Sequence, residues 1–422
     1  MIWTLNKLLI LDKKMYYILG INFMNILFKT YCRIYQSIFR LAMPFLPYRT
    51  PTIFENIEDV SKILIKENKN RVLICTDKGI VNAGLLNKLT SSLKENNIDY
   101  YIYDKTTPNP QSNQVLEAYN LYIENDLSAI IAIGGGSPMD LAKIVGAKTR
   151  RPKLHISKMK GILKIRKKLP LLIAIPTTSG TGSEITIAAV ITDSDTHFKY
   201  PINDFCLIPH YAILDPSLTL GLPPHITSTT GMDALTHAIE AFIGRSTTKQ
   251  TRDYSLKSIK LIVDNLKTCY FDPSNIEARN NMLIASHYAG IAFSKSYVGY
   301  VHAIAHTLGG KYNIPHGLAN AIILPIMLEQ YDRHIYKKLK TIAVYCNIAN
   351  ENETDEIASK KLISWIYEAN KEMNIPRYID EIKLEDIEEL SIIASKEANP
   401  LYPVPVLYDA KELKNIYNII KN

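Results

Sequence analysis

Cysteine is scarce in this chain: five in 422 residues, at Cys32, Cys75, Cys206, Cys269 and Cys346, with no CxxC pair. That excludes a disulfide framework and a thiolate metal site, and it points to a reducing, cytoplasmic setting. Long apolar runs are missing too. Tyr16–Phe28 is interrupted by Asn22 and Asn25 and falls short of the ~20 residues of a membrane span. No small-residue cleavage site follows it, which argues against a cleaved signal peptide. Acids are absent where bases cluster. Lys7, Lys13, Lys14, Lys29, Arg33, Arg40 and Arg49 face only Asp12 in residues 1–50, and residues 148–168 hold ten Lys/Arg and no acid. These are two local segments on an otherwise balanced chain of formal charge +8, with no zinc-finger or RNA-module signature, so nucleic acid is excluded as a partner. The GxGxxG dinucleotide fingerprint is also lacking.

What is present is ordinary globular composition, 47% hydrophobic and 21% charged. The length exceeds what one core organises, so two domains are expected. Ahead of them, Ile26–Ala42 is amphipathic, with Lys29, Arg33, Gln36 and Arg40 along one stripe. Leu27, Phe28, Ile34, Tyr35, Ile38 and Leu41 cover most of the remaining surface. Such a helix either lies on an anionic membrane surface or packs on the protein body. Met15 and Met24 are alternative starts. Leu46–Pro51 then reads as a rigid extended linker.

Arg71–Asp77 (RVLICTD) is an apolar run closing on an acid, the pattern of a buried parallel strand. A helical period over Val81–Asn96, a strand over Tyr100–Tyr103, a helix over 112–125 and a strand over Ala129–Ile133 follow. This alternation predicts a doubly wound α/β domain with a parallel sheet. The last strand runs into Gly134-Gly135-Gly136-Ser137-Pro138-Met139-Asp140. Pro138 suits a first helical turn, and Ser137 with Asp140 has capping-box spacing. A glycine turn that opens a helix is a pyrophosphate site; the bland alternative is a tight turn, which needs fewer than three glycines. After the basic segment, read as a solvated loop, strand Leu171–Ile175 leads into Pro176–Glu184 (PTTSGTGSE). Its hydroxyls and glycines suit phosphates and ribose, or else form a flexible polar loop. Beyond Leu214-Asp215-Pro216 helical periods dominate, so a mainly α domain begins near residue 217.

Three of the ten histidines fall within His302–Gly317 (HAIAHTLGGKYNIPHG). His302 and His306 are four apart and share a helix face, and His316 sits in a Pro-His-Gly turn. Asp233 and His237, in GMDALTHAIE, are again four apart. Imidazole is the commonest ligand for a borderline metal, yet histidines so spaced are as often packed against a core. Taken together, Asp233, His237, His302 and His316 make a shell suited to Fe(II) or Zn(II) with room for substrate.

The motifs GGGSPMD, PTTSGTGSE, DALTHAIE, HAIAHTLGG and PHGLANAIILP, in this order, resemble the iron-containing (group III) alcohol dehydrogenase family. The resemblance runs from about residue 45 to the C-terminus, Asn399–Leu413 included. It implies an extension over residues 1–45, an α/β NAD-binding domain over 46–217 and a helical metal-binding domain over 218–422, with the metal in the cleft between them. It further implies that Asp233, His237, His302 and His316 ligate the metal and that His306 lies beside the nicotinamide, where it could carry a proton. Gly135, Gly136 and Ser137 would hold the pyrophosphate, with Asn109, Asp140, Thr177, Thr178 and Thr181 nearby. Lys199, in FKYPI, would lie near the adenosine ribose.

Asp77 matches the position that sorts the two nicotinamide cofactors. A carboxylate there accepts from ribose hydroxyls and repels a 2′-phosphate, so NAD(H) is expected over NADP(H). The implied activity is hydride transfer with a small alcohol or aldehyde, the metal acting as Lewis acid. A homodimer is implied as well. No room is left for a fused aldehyde dehydrogenase domain, so a single-activity form is expected. Rivals are a dehydroquinate-synthase-like lyase, a polyol or phospho-polyol dehydrogenase, and a non-catalytic membrane-attached binding protein. Few basic residues near the metal motifs weigh against sugar phosphates, and the intact ligand set weighs against a lost activity.

Overall fold

The structure, a computed structural model, describes residues 26–196 and 199–422. The segment Tyr16–Asn25 and both alternative starts lie outside the described residues. Parallel strands β1 (Thr52–Phe54), β2 (Arg71–Cys75), β3 (Asp99–Tyr103), β4 (Ala129–Gly134), β6 (Leu171–Pro176) and β9 (Tyr211–Ile213) build one sheet. Their order is β1-β9-β6-β4-β2-β3. A smaller sheet joins β5 (Gly161–Ile162), β7 (Ala188–Thr192) and β8 (Lys199–Asn203), with β7 and β8 antiparallel.

Apolar residues alternate across the main sheet and both faces are covered, as a parallel sheet requires. Val72, Ile74, Ile131 and Ile173 face α2 (Asp59–Lys66) and α4 (Asn87–Glu95). Leu73, Ile130 and Leu172 face α5 (Ser112–Glu124) and α6 (Gly136–Arg150). The helix expected over Val81–Asn96 is broken. It divides into α3 (Lys78–Asn82) and α4, with Gly84 at φ +70° between them. Strands β1 and β9 escape sequence pattern because each has only three residues.

The basic segment 148–168 keeps most of its cations in solvent, while Ile156, Met159 and Ile165 anchor it to the core. The capping box expected from Ser137 and Asp140 does not form. The N-cap of α6 is Gly135, without a side-chain cap. Asp140 instead accepts from the Ser183 hydroxyl at 2.9 Å and from the Val190 N–H at 2.9 Å. A buried carboxylate takes the donors that surround it, and here those belong to the loop after β6 and to β7.

From Pro224 onward the chain is helical: α7 (Pro224–Ile243), α8 (Lys249–Phe271), α9 (Ile276–Ser296), α10 (Tyr300–Tyr312), α11 (His316–Tyr331), α12 (Tyr336–Tyr345), α13 (Asp355–Glu372), α14 (Ile387–Ala398) and α15 (Ala410–Ile420). Helix α7 is buried nearly all round and packs against α8, α9 and α11. The two halves meet main chain to main chain. A Cβ placed on Gly182 would stand 2.9 Å from the Cα of Gly290 on α9, so neither position leaves space for a side chain.

Helix α1 (Ile26–Ala42) docks on the helical half by a mixed face, with Cys32 buried in the core and Phe28 and Tyr31 packed against it beside the polar Arg33 and Gln36. Arg33 donates to the carbonyls of Val404 (2.7 Å) and Pro405 (2.9 Å), and Gln36 to those of Pro400 (3.2 Å) and Tyr402 (2.8 Å). The extended segment after α14 carries carbonyls that need donors, and these two side chains supply them. Leu27 (80% exposed), Leu41 (74%) and Phe45 (88%), with Ile34 and Ile38, are left facing outward. Among the described residues no helix is long and apolar enough to cross a membrane.

Candidate active site

The strand ends that carry the glycine turn and the threonine loop lie side by side. Strand β4 pairs with β6 through Gly134 and Pro176, and the Thr177 N–H donates to the Gly134 carbonyl at 3.0 Å. Asp77 follows β2, two strands from β6 in the same parallel sheet, so all three positions share its C-terminal edge. The Asp77 Oδ1 accepts from Ile80 N–H at 3.0 Å, capping α3. Its Oδ2 makes no hydrogen bond among the described residues. The uncapped first turn of α6 leaves the Gly136 and Ser137 N–H groups for an anion, with Thr178 and Thr181 alongside.

Two predicted residues have structural work. Thr177 is buried and ties the two turns together. Asp140 is spent on Ser183 and Val190, beside a residue not singled out from sequence, Lys143. The Lys143 Nζ is buried and donates to Ser183 Oγ (3.0 Å), Thr186 Oγ1 (2.8 Å) and the Ala188 carbonyl (2.8 Å). Burial lowers its pKa to about 8, against the pull of Asp140 and Glu184. Lys199 donates to Asn109 Oδ1 at 2.6 Å, which brings two of the predicted residues together.

On the helical side, ligand atoms of Asp233, His237 and His302 all lie within 4.8 Å of one another. Asp233 Oδ1 is 3.8 Å from His237 Nδ1 and 3.8 Å from His302 Nε2, and His316 Nε2 stands 3.6 Å from the same oxygen. The i, i+4 spacing on α7 aligns Asp233 with His237, and α10 and α11 bring in the other two. Close approach of α11 depends on Gly317, where a Cβ would lie 2.3 Å from the Thr229 carbonyl oxygen on α7. Burial pushes the Asp233 carboxyl up and holds His237, His302 and His316 below the ordinary imidazole value.

His237 Nδ1 and His302 Nε2 are buried without hydrogen-bond partners among the described residues. Each such atom costs about 1–3 kcal/mol when left unsatisfied, a cost that a divalent ion at this point removes. Three imidazoles and a carboxylate therefore fit a metal by donor type, and His237 Nδ1 and His302 Nε2 also by their empty lone pairs, while His316 Nε2 lies 3.1 Å from the Asn320 amide nitrogen.

Sequence reasoning missed the residues behind these. Glu240 Oε2 lies 2.6 Å from His302 Nδ1, and Glu240 also accepts from the N–H groups of Gly299 (2.7 Å) and Val301 (2.9 Å). Burial pushes its carboxyl up to about 8, while the backbone donors draw it down. Asn320 donates to Asp233 Oδ1 at 2.7 Å, and Phe293 stacks on His237 at 4.0 Å. His306 lies apart from the cluster of three: it stacks on His316 at 5.1 Å and places Nδ1 2.6 Å from Glu397 Oε1. The threonine loop reaches this region, since Gly180 packs directly on Thr230, one turn before Asp233.

Comparison with known proteins agrees with this geometry. The family description "Iron-containing alcohol dehydrogenase" matches residues 51–216, and "Fe-containing alcohol dehydrogenase family, C-terminal" matches residues 227–420. Alcohol dehydrogenase 4 of Saccharomyces cerevisiae is 35% identical over 346 residues, covering 81% of this chain and 89% of that protein. A 1,3-propanediol dehydrogenase of Citrobacter freundii is 34% identical, covering 82% and 90%. Among solved structures, a 1,3-propanediol oxidoreductase superposes with a TM-score of 0.85 at 32% identity, over 88% of this chain and 98% of that one. A sulfoacetaldehyde reductase from Bifidobacterium kashiwanohense, in complex with NAD+, gives 0.78 at 26% identity over 88% and 98%.

Proposed function

The chain belongs to the iron-containing alcohol dehydrogenase family and is an oxidoreductase of that kind; we propose that it transfers a hydride between NAD(H) and a small alcohol or aldehyde. The observation that carries this reading is the cluster of Asp233, His237 and His302, with its unsatisfied nitrogens, beside the loop that also flanks the glycine turn.

Asp233, His237, His302 and His316 would hold one divalent ion, Fe(II) or Zn(II). Such an ion supplies Lewis acidity toward the substrate oxygen. Glu240 fixes the ring of His302 through Nδ1, leaving Nε2 as ligand, and Asn320 orients the Asp233 carboxylate. The N–H groups of Gly135, Gly136 and Ser137, with Thr178 and Thr181, would cradle the pyrophosphate. Asp77 Oδ2 would accept from the ribose hydroxyls, and the Lys199–Asn109 pair would sit near the same nucleoside. Asp140 and Thr177 shape these loops rather than touching the cofactor. A nicotinamide held there is the hydride carrier. His306, beside His316, would pass the alcohol proton toward water at Nε2, since Nδ1 is engaged. The division between the two functional halves falls near residue 217.

Metal-loaded protein prepared without oxygen is expected to oxidise NADH when given short-chain aldehydes. No NADH consumption across a panel of aldehydes and diols would refute the proposal and return the lyase to consideration. For location, the outward stripe Leu27, Ile34, Ile38, Leu41 and Phe45, near Lys29 and Arg40, supports peripheral contact with an anionic membrane. Failure to sediment with phosphatidylserine vesicles would remove it.

A further inference from the structure

A chain of contacts runs from the N-terminal helix, outside both matched family regions, to the edge of the metal cluster. It starts at Arg33 and Gln36, which bond to each other at 2.8 Å and grip the carbonyls of Pro400, Tyr402, Val404 and Pro405. Other contacts hold the same segment: Arg245 N–H donates to the Pro403 carbonyl at 2.6 Å, and Tyr300 donates to Asn399 Oδ1 at 3.0 Å. Phe39 of α1 packs edge-on against Tyr297, whose ring lies 6.4 Å from that of Tyr402.

So fixed, the buried Tyr402 donates its hydroxyl to Glu397 Oε1 at 2.8 Å. That oxygen is the one that meets His306 Nδ1 at 2.6 Å. With the carboxylate oxygen as acceptor, Nδ1 is the donor of this bond and Nε2 is left for other partners. The ring is thereby held nearly parallel to His316, 17° between planes. Glu397 and His306 are each a little under one third exposed, so both reach solvent rather than lie in the core.

We propose that Glu397 is a positioning residue of the reaction: it holds His306 by Nδ1 so that Nε2 is the atom offered to substrate. In the same proposal, α1 clamps the segment that presents Tyr402 to Glu397. This rests on the role given above to His306. It assigns work to a carboxylate outside the metal shell and to a helix that the family match does not cover. Glu397 acts through the imidazole and touches neither substrate nor metal ligand. Its loss should therefore fall on kcat and leave cofactor binding and metal content alone.

The test compares Glu397→Ala, Glu397→Gln, His306→Ala, the double Ala variant and Gln36→Ala, all as metal-loaded full-length enzyme. Metal content and melting temperature are measured beside kcat and KM. Glu397→Ala should lower kcat about 10- to 100-fold, the usual scale for a group that orients a working imidazole, with KM for NADH unchanged. Glu397→Gln keeps an acceptor oxygen at the same reach and should stay within about 3-fold of the parent, because position rather than charge is the asset. The double variant should be no slower than His306→Ala, and Gln36→Ala should show a smaller loss of the same kind. A Glu397→Ala enzyme with parental kcat beside a crippled His306→Ala overturns this proposal and leaves the role of His306 standing. A fully active His306→Ala overturns that role and, with it, this proposal. Losses that multiply in the double variant overturn the coupling, and normal kcat in Gln36→Ala strikes out the part given to α1.

Discussion

Glu240 and His302 form a buried pair in which a carboxylate oxygen stands 2.6 Å from Nδ1, so the opposite nitrogen, Nε2, is turned toward Asp233 with nothing to bond. The pair behaves as one unit, since the carboxylate fixes both tautomer and ring plane. Glu240→Gln should lower metal affinity about 10- to 100-fold, and His302→Ala should abolish retention of the metal. Metal content after dialysis against a graded chelator series measures both. Equal retention by Glu240→Gln and the parent enzyme would show that the carboxylate does not tune the site.

Asp77 offers a separate test on the nucleotide side. With Oδ1 held by the Ile80 N–H, Oδ2 is the atom available to ribose. Asp77→Ser removes the negative charge that opposes a 2′-phosphate while keeping a small cap for α3. The ratio of kcat/KM for NADH over NADPH should fall about tenfold or more, as expected for loss of one charge-assisted contact worth roughly 1.5 kcal/mol. A ratio unmoved by the substitution would place cofactor choice elsewhere.

Gly317→Ala should destabilise the protein and loosen its metal together. The added methyl would lie 2.3 Å from the Thr229 carbonyl oxygen and 3.5 Å from the Asp233 Cβ, so α7 and α11 must move apart. Overpacking of this kind costs about 1–3 kcal/mol. A lowered melting temperature with normal metal content would mean that the helices yield without disturbing the ligands.

His210 makes stability depend on pH on the acid side. Its Nδ1 accepts from the Leu172 N–H at 3.1 Å, which requires a lone pair there. Burial, aided by Arg49 and Lys168, lowers its pKa from 6.5 to about 4. Between these values the unfolded chain binds a proton that the folded chain refuses, so stability is lost as pH falls from 6.5 toward 4. Chemical denaturation of the parent and of His210→Gln across that window should show the steeper loss in the parent. Identical pH slopes would rule His210 out as the source.

The cluster of Asp233, His237 and His302 was legible because helical spacing made Asp233 and His237 neighbours and because His302 stood in a histidine-rich stretch. The glycine turn was legible from its place after a buried strand. Glu240 could have been found by the same means: it lies seven residues after Asp233, two helical turns on, and so on the same face of α7. Glu397 and Tyr402 could not, since their partner His306 is 91 residues from Glu397 along the chain and no local period links them. The capping box failed because Ser183 and the Val190 N–H, distant in sequence, compete for Asp140. The orientation of α1 was not legible, because its buried face mixes Cys32 and Phe39 with Arg33 and Gln36, whose carbonyl partners lie more than 360 residues away.

Where Gly182 meets Gly290, the halves of the enzyme touch backbone to backbone, with the Ile185 side chain packed alongside. A methyl on Gly290 would fall 2.3 Å from Ile185 Cγ2 and 3.1 Å from the Gly182 carbonyl oxygen, and one on Gly182 would fall 3.1 Å from the Ser286 carbonyl oxygen. Rotamers can relax and redistribute strain; bare backbone has no such latitude. The contact is thus a hard stop, and it gauges how near the glycine-turn edge of the sheet can come to the histidine cluster. Main-chain van der Waals radii therefore set the closest approach of the two halves at this contact.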